Sequence, residues 1–462
     1  MIRSGPALAL AGLWSAVVLG WAVSGWSLWA LLVCVPGLVA ATLVASPDAG
    51  PHRVGLQVAA ATLGFVLALS PPALGVAAIF DPGPGAWWFR IAALGPMALL
   101  VLSSVPPRRP STPTGLLAAA ALWGLAVAVL TPLPAESALA AVELLVVIVL
   151  ADRLIASLGG ADVLVAVGAG LTTFALASLA TWAFDGSPAR LPGFDEDTRL
   201  GVPRLADLST EPIQLAEAVA PLVLLGLAAI VGLLPGRGVG VAMFAVGLVT
   251  AGATQSRAAL GAVLAAGLWM LLRTKGQTAL AALVVAGAAL TTMVGLSGIG
   301  AGPLDDLAGL RQDGGSGADL RVTEIWPAAV DRAIDRPVQG WGLAGTEVAM
   351  QRSMDDGDLR PIVFRNTHNR ALELVVALGV VGAALVVAAV GSAIAALARR
   401  PAPLIEALIV YVALVGLTGP GSGSQFTGID ELLLIVAVVV ATSGLSSEPA
   451  QTAVRRRLPV PG

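Results

Sequence analysis

Charged residues are scarce in this sequence. Asp, Glu, Lys and Arg make up 12% of its 462 residues, while 57% of the residues are hydrophobic. A soluble domain carries about a quarter charged residues. This chain therefore lacks the polar side chains needed to cover a water-soluble surface, and an ordinary soluble globular protein is excluded.

Cysteine and histidine are also nearly absent. Cys34 is the single cysteine, so no disulfide, iron–sulfur cluster or cysteine-based zinc site can form within one chain. Two histidines cannot build a multi-histidine metal site, and the sequence contains no Walker loop, dinucleotide fingerprint, HExxH or nucleophile elbow. The net charge of −3 offers no basic field for nucleic acid. We therefore expect no metal, no cofactor and no nucleic-acid partner.

Apolar runs recur from one end of the chain to the other. A helix crossing a hydrocarbon core of roughly 30 Å needs about 20 apolar residues, and continuous Leu, Ala and Val runs favour helices over the alternating strands of a barrel. The sequence predicts an all-α integral membrane protein, a polytopic bundle of about 12–14 transmembrane helices in a lipid bilayer. The predicted spans are residues 7–24, 26–45, 54–80, 89–105, 114–131, 137–151, 161–184, 212–234, 238–253, 258–272, 277–299, 369–398, 403–418 and 429–445.

Arginines cluster in alternate connections between these spans. Short cytoplasmic loops are enriched in Arg and Lys, so this set of connections is predicted to face the cytoplasm, together with both termini. The opposite connections, around Ser24 and at 81–85 and 131–136, carry almost no charge and are predicted to lie outside. The basic set contains Arg3, His52, Arg53, Arg108, Arg109, Arg153, Arg237, Arg273, Lys275, Arg399, Arg400 and Arg455 to Arg457.

Two outer loops are long and rich in charge of both signs. The larger loop is predicted to hold a helical extracytoplasmic subdomain, with a helix from Asp319 to Arg336 that is interrupted at Pro327. One face of this helix is apolar, so it either lies along the outer membrane surface or packs on the bundle. The predicted organisation is N-terminal transmembrane helices in 1–184, an outer loop in 185–211, central transmembrane helices in 212–299, a large extracytoplasmic loop with the catalytic site in 300–368, C-terminal transmembrane helices in 369–445 and a cytoplasmic tail in 446–462.

His368 is the only histidine predicted to face outside. In the sequence RNTHNRALELVV, Asn366 or Thr367 can cap a helix that begins at His368. The positive end of a helix dipole favours the neutral imidazole, which can accept a proton. The pattern therefore indicates either a general base or a solvated histidine at a helix start.

Arginines are the second notable feature of the predicted outer side. Arg257 lies at an outer junction of two apolar runs, where it can snorkel to lipid headgroups or hold an anionic ligand. The guanidinium fork suits phosphate oxygens. Any of these arginines can instead belong to a surface ion pair. The outer arginines are Arg190, Arg199, Arg204, Arg257, Arg321, Arg365 and Arg370.

Three stretches, in this order, resemble the O-antigen ligase and Wzy-type polymerase family of bacterial membrane glycosyltransferases. The first is SRAALGAVLAAGLW, around Arg257. The second is Arg321 followed by Trp326 and the run RPVQGWGLAG. The third is THNRALELVVALGVVG, around His368. The resemblance spans about residues 195–400.

The resemblance implies a metal-independent, inverting transferase on the outer face of the bacterial cytoplasmic membrane. Its donor would be a glycan on undecaprenyl pyrophosphate, and its acceptor a lipid or glycan of the cell envelope. Carried over by motif, His368 would be the catalytic base, Arg257 and Arg321 would bind pyrophosphate, and Arg199 would be a third phosphate-binding residue. Sequence does not separate a ligase from a polymerase of lipid-linked repeat units.

Transport and scaffolding are the alternatives from other classes. An ion-coupled transporter of lipid or glycan would need ionisable residues at mid-membrane, for which Glu143 in the sixth predicted span is the main candidate. The concentration of charge on one predicted side disfavours transport. In a scaffold of envelope assembly, His368 and the arginines would be dispensable.

Overall fold

The computed structural model describes residues 51–68, 84–185, 212–254, 256–274, 321–355, 367–418 and 428–443. Within these ranges the chain forms helices and turns and has no strand. The predicted class, an all-α integral membrane protein, is confirmed. The residues of the first two predicted spans, of the span at 277–299 and of the outer loop that carries Arg199 lie outside the described ranges.

The helices of the described ranges are numbered α1 to α14 in chain order. Two short turns accompany them, a 3₁₀ turn at Ala128–Leu130 and a π turn at Arg321–Ile325. The helices are α1 Pro51–Ala68, α2 Pro84–Ser104, α3 Thr112–Val127, α4 Pro134–Leu158, α5 Gly160–Asp185, α6 Pro212–Val219, α7 Pro221–Ile230, α8 Arg237–Thr254, α9 Arg257–Thr274, α10 Trp326–Asp335, α11 Thr346–Asp355, α12 Arg370–Arg399, α13 Pro403–Thr418 and α14 Ile429–Ser443.

Four segments of the described chain are long and apolar enough to cross a membrane: Thr112–Leu130, Gly160–Ala180, Arg237–Thr254 and Arg370–Arg399. Shorter apolar helices accompany them at His52–Ala68, Leu94–Ser104, Leu215–Ile230, Ala258–Thr274 and Pro403–Leu417. The predicted span at 403–418 coincides with α13, whereas α4 continues to Leu158, beyond the predicted end at 151. The total of 12–14 spans stays a prediction.

Several arginine–carboxylate pairs of the described residues lie at one end of the bundle. Three ion pairs lie there: Arg53 with Asp162, Arg108 with Asp152, and Arg273 with Glu406. Their arginines belong to the connections predicted to face the cytoplasm. Arg153 was predicted in the same set of connections, but it lies in the last turns of α4 and not in a loop. We call this the basic end, and the opposite end, where α12 and α14 begin, the site end.

A single predicted span at 212–234 is broken in the structure. Helix α6 ends at Val219 and α7 begins at Pro221. Proline has no N–H to donate and clashes with the preceding turn, so it interrupts the helical hydrogen bonds at this point. The break leaves Glu217, in the last turns of α6, buried near the site end.

Helix α12 is also broken, at Gly379, whose φ is 65°. In an unbroken helix, the carbonyl groups of Val376 and Ala377 would accept from amides one turn later. Here Val376 O accepts from Trp341 N at 2.8 Å, and Ala377 O accepts from Gly342 N at 2.8 Å. The segment that leads into α11 thus satisfies backbone carbonyl groups of α12.

Helix α12 also donates a hydrogen bond to the segment that leads into α11. Val380 N, which a regular helix would join to Val376 O, donates instead to Pro337 O at 2.7 Å. A Cβ on Gly379 would lie 2.1 Å from the carbonyl oxygen of Val338, and a Cβ on Gly340 would lie 2.5 Å from Gly379 N. Only glycine permits two backbones to approach this closely.

The segment at 321–355, which holds α10 and α11 and which we call the α10–α11 segment, is the part of the fold that differs most from its prediction. The predicted helix from Asp319 to Arg336 is a π turn up to Ile325 followed by α10, and Pro327 lies in the first turn of α10 instead of interrupting it. Its buried face packs on Trp341 and on Val376 of α12. Packing on the bundle, one of the two expected arrangements, is therefore observed. Val322 and Val330 of this segment are nevertheless exposed.

Candidate functional site

His368 stands immediately before α12. The side chain of Asn369 accepts hydrogen bonds from Ala371 N at 3.0 Å and Leu372 N at 3.2 Å, so Asn369 is the N-cap and the helix begins at Arg370. The expectation that Asn366 or Thr367 caps a helix beginning at His368 was wrong, because the side-chain oxygen of Asn369 accepts from the first free N–H groups of the helix. His368 lies outside the helix.

The backbone of His368 adopts a left-handed conformation, with φ of 49°. Residues other than glycine rarely do so unless their surroundings hold them there. Thr367 N donates to Glu373 Oε2 at 3.0 Å, and Thr367 Oγ1 lies 2.7 Å from the carbonyl oxygen of Asn369. The residues on both sides of His368 are therefore tied to the first turns of α12.

The imidazole of His368 is partly buried. Burial first and the positive charge of Arg321 second lower its pKa from 6.5 to about 4. The sequence predicted a neutral imidazole from the helix dipole. The structure gives the same protonation state through desolvation first and Arg321 second.

Arg321 opens the π turn and acts electrostatically on His368, so the structure brings these two predicted site residues together. Burial lowers the pKa of the Arg321 guanidinium, and the carboxylate of Glu217 raises it. A guanidinium remains protonated in proteins. A fixed cation therefore lies beside an uncharged base.

Arg257 is the first residue of α9. The far end of α9 carries Arg273, which pairs with Glu406 in the first turn of α13 at the basic end. The other end of α13 carries Gly416, where a Cβ would lie 3.1 Å from Cβ of Arg370. Because α9 and α13 pack together, the backbone of Arg257 lies at the site end. Arg199 lies outside the described residues.

A partly buried ion cluster supports the start of α12, and the sequence did not predict it. Arg370, expected among the cationic site residues, donates from Nη1 to Asp430 Oδ2 at 3.2 Å and from Nη2 to Glu431 Oε1 at 2.6 Å. The Asp430 side chain is 1% exposed. The available signal was an arginine at one helix start and an Asp–Glu pair at another, but sequence cannot reveal that the two starts meet.

Glu217 borders the same cluster. Its side chain is 3% exposed, and its backbone carbonyl accepts from the hydroxyl of Tyr411 at 2.8 Å. The carboxyl group is within electrostatic range of both Arg370 and Arg321. Glu217 therefore links the structural ion pairs of α12 and α14 to the cation beside His368.

Metal-binding capacity is limited in the part of the chain described. There, no group of three or more His, Cys, Asp or Glu side chains is arranged to hold a metal ion. The adjacent acids Asp430 and Glu431 both bind Arg370. The arrangement offers proton acceptance by His368 and charge neutralisation by arginine, which are the elements of general base and electrostatic catalysis.

Comparison with known families gives one match. A family model described as O-antigen ligase matches residues 242–387, about a third of the chain. The matched segment contains Arg257, Arg321 and His368 and extends past the break at Gly379. It is narrower than the resemblance read from the sequence and does not include Arg199. A search of curated proteins returned no significant match.

Proposed function

Because residues 242–387 carry the domain of the O-antigen ligase and Wzy family, we propose that this chain is a membrane glycosyltransferase of that type. Its donor is a glycan on undecaprenyl pyrophosphate, and its acceptor is a lipid or glycan of the cell envelope. The observation that carries the proposal is the uncharged His368 beside the cationic Arg321 at one end of a membrane bundle, within the matched segment.

The proposed reaction is a direct displacement. The acceptor hydroxyl oxygen forms a bond to the anomeric carbon of the donor sugar, while the bond from that carbon to the pyrophosphate oxygen breaks. The hydroxyl proton passes to His368, and the bonding electrons leave with undecaprenyl pyrophosphate. Attack opposite the leaving group inverts the anomeric carbon, and no metal takes part.

Arginine supplies the electrostatic part of this mechanism. Negative charge grows on the pyrophosphate as it leaves, and preorganised cations near that position stabilise the transition state. We assign Arg321 and Arg257 to this role and Arg199 to a third contact. Arg370 is not included, because Asp430 and Glu431 already bind both of its terminal nitrogens.

The low proton affinity of His368 before the donor binds is compatible with a role as the base. A pKa of about 4 keeps the imidazole uncharged at neutral pH and ready to accept a proton. Bound pyrophosphate would offset the charge of Arg321, and a nearby anion raises the pKa of a histidine. Donor binding would therefore strengthen the base at the moment it is needed.

The location of the site suits a donor with a long lipid chain. His368 lies at the end of α12, a helix long and apolar enough to span the bilayer, so the pyrophosphate can reach the site while its lipid stays in the membrane. We propose the bacterial cytoplasmic membrane as the location, with both termini in the cytoplasm and the site end outside.

Polymerisation of lipid-linked repeat units is the nearest alternative, since the family contains both activities and the donor chemistry is the same. A transporter is the alternative from another class. The observation that favours transport is the burial of Glu143 within α4, where its side chain is 7% exposed.

Glycan transfer by purified protein in EDTA, from a synthetic undecaprenyl-pyrophosphate donor, tests the proposal. The full chain would be compared with His368→Ala, Arg257→Ala and, as a control, His52→Ala at the basic end. Transfer that resists chelation, survives in His52→Ala and is lost in both site variants would support it. Undiminished transfer in folded His368→Ala would contradict the mechanism.

A further inference from the structure

The hydrogen bonds between Thr367 and Glu373 form a clasp around His368, which we call the Thr367–Glu373 clasp. We infer that Glu373 is a positioning residue, which holds the His368 imidazole at the reacting centre by fixing Thr367 and does not itself touch substrate. The inference rests on the proposed function of His368 as the base, but its geometry is independent of that proposal.

The clasp ends on one carboxylate oxygen. Glu373 Oε2 lies 3.0 Å from Thr367 N and 3.0 Å from Thr367 Oγ1. The threonine hydroxyl shares its one hydrogen between Glu373 Oε2 and the carbonyl oxygen of Asn369, which lies 2.7 Å away, and it accepts from Asn369 N at 3.3 Å. Thr367 is fully buried, so the clasp fixes the residue before His368 while the N-cap fixes the residue after it.

His368 needs this support because of its backbone. A left-handed conformation in a residue with a side chain is strained and persists only when neighbouring contacts specify it. If the clasp is lost, the peptide before His368 can rotate to an ordinary conformation, and the imidazole then points elsewhere. A displacement of about 1 Å at a catalytic group can cost roughly 100-fold in rate.

The chemistry of the clasp separates positioning from acid–base work. Both bonds need an acceptor oxygen at Oε2, and the amide oxygen of glutamine offers one. A positioning role is therefore met by Gln, whereas a role in proton transfer or charge balance is not. Likewise, Thr367→Ser keeps the hydroxyl, and Thr367→Val removes it without changing the shape of the side chain.

Kinetics of glycan transfer give the first test. We expect Glu373→Ala and Thr367→Val to lower kcat by about 100-fold with the donor KM nearly unchanged, because a misplaced base weakens the transition state and not donor binding. Glu373→Gln and Thr367→Ser should recover most of kcat. Glu406→Gln, which removes a carboxylate from the first turn of α13 at the basic end, is the matched control and should equal the wild type. A Gln variant as impaired as the Ala variant would overturn the inference.

Modification of His368 gives a test that does not depend on transfer. In a His52→Asn background with a purification tag free of histidine, His368 is the only histidine, and diethyl pyrocarbonate reacts only with its uncharged form. Among the described residues, Arg321 from the π turn is the charged group that shifts its pKa, and Glu373 and Arg370 lie in the first turns of α12 that follow it. Without the clasp, we expect the imidazole to become more exposed, to react at least several-fold faster at pH 8 and to titrate closer to pH 6.5.

The two tests separate the possible failures. If His368→Ala retains transfer but Glu373→Ala still raises the reactivity of His368, the proposed catalytic role fails and the clasp stands. If His368→Ala abolishes transfer while Glu373→Ala changes neither kcat nor the reactivity and titration of His368, the proposed role of His368 as the base is supported and the positioning role of Glu373 is refuted.

Discussion

The backbone amide of Trp341 donates to the carbonyl of Val376 at 2.8 Å, which joins the α10–α11 segment to α12, a helix long and apolar enough to span a membrane. The indole N–H of Trp341 donates in turn to the carbonyl of Arg332 in α10 at 2.7 Å. One buried tryptophan therefore connects α10 to α12. Since Arg321 precedes α10 and His368 precedes α12, this junction connects the two elements that carry the cation and the proposed base.

Replacing Gly379 by alanine should disturb this junction. The added Cβ would lie 2.1 Å from the carbonyl oxygen of Val338, and alanine disfavours the positive φ of this position. A residue forced into such a conformation costs about 1–3 kcal/mol. We expect a lower unfolding temperature in detergent and a fall in glycan transfer.

Gly391→Ala is the matched control on the same helix. A Cβ at Gly391 would meet no atom within 4 Å, and alanine favours helix over glycine. This variant should be as stable as the wild type or slightly more stable, and equally active. Equal unfolding temperatures for Gly379→Ala and Gly391→Ala would contradict the role assigned to the break in α12.

Loss of the Arg370 side chain should unfold the site end. Asp430 and Glu431 would lose their cation, and breaking a buried ion pair by removing one partner costs about 3–5 kcal/mol. We expect Arg370→Ala to accumulate poorly and to unfold at a much lower temperature. Removing the buried charges together, in Arg370→Met with Asp430→Asn, should recover part of the stability.

Arg273→Ala tests whether any arginine pair would behave in this way. Arg273 binds Glu406 by Nε at 2.9 Å, but its side chain is 44% exposed. Exposed ion pairs contribute little to stability, so this variant should match the wild type in unfolding temperature. A loss as large as that of Arg370→Ala would mean that burial is not the cause.

Local sequence patterns were sufficient to predict most helices. The bounds of α13 coincide with the predicted span, and α3 and α8 differ from theirs by few residues, because apolar runs between polar ends determine where a helix can lie in lipid. Prediction failed where distant segments exchange hydrogen bonds. The break at Gly379 depends on the backbone of residues 337–342, which no window around Gly379 contains.

The candidate site shows the same limit. His368 was singled out because the sequence has only two histidines, and Arg321 because it begins the second of the three stretches that carry the family resemblance. Sequence assigned Arg370 to the same site because it could not indicate that α14 begins beside α12 and supplies Asp430. It also gave the wrong cap for α12, because Asn366, Thr367 and Asn369 are all good capping residues and only the backbone geometry selects one.

The pH dependence of transfer should reveal the environment of His368. The base must be uncharged, and burial together with Arg321 lowers its pKa to about 4, so protonation inactivates it only in acid. We expect kcat/KM, which reports the free enzyme, to stay level as the pH falls through 6.5 and to decline towards pH 4. Removing the neighbouring positive charge in Arg321→Gln should move this decline to higher pH, because protonation is then less disfavoured. A wild-type decline centred near 6.5 would show that the imidazole is solvated.

Arg321→Lys should separate the charge of this residue from its shape. Lysine keeps the positive charge but loses the planar fork that binds two phosphate oxygens at once. If Arg321 stabilises the leaving pyrophosphate, kcat/KM should fall about tenfold or more in Arg321→Lys and about 100-fold or more in Arg321→Ala. Most of the loss should lie in kcat, since the charge on the leaving oxygen grows towards the transition state. The control is Arg109→Lys, an exposed arginine between α2 and α3 at the basic end, which should retain wild-type kinetics. Wild-type kinetics in Arg321→Lys as well would show that Arg321 acts only through its charge and that its planar fork does not bind the donor phosphates.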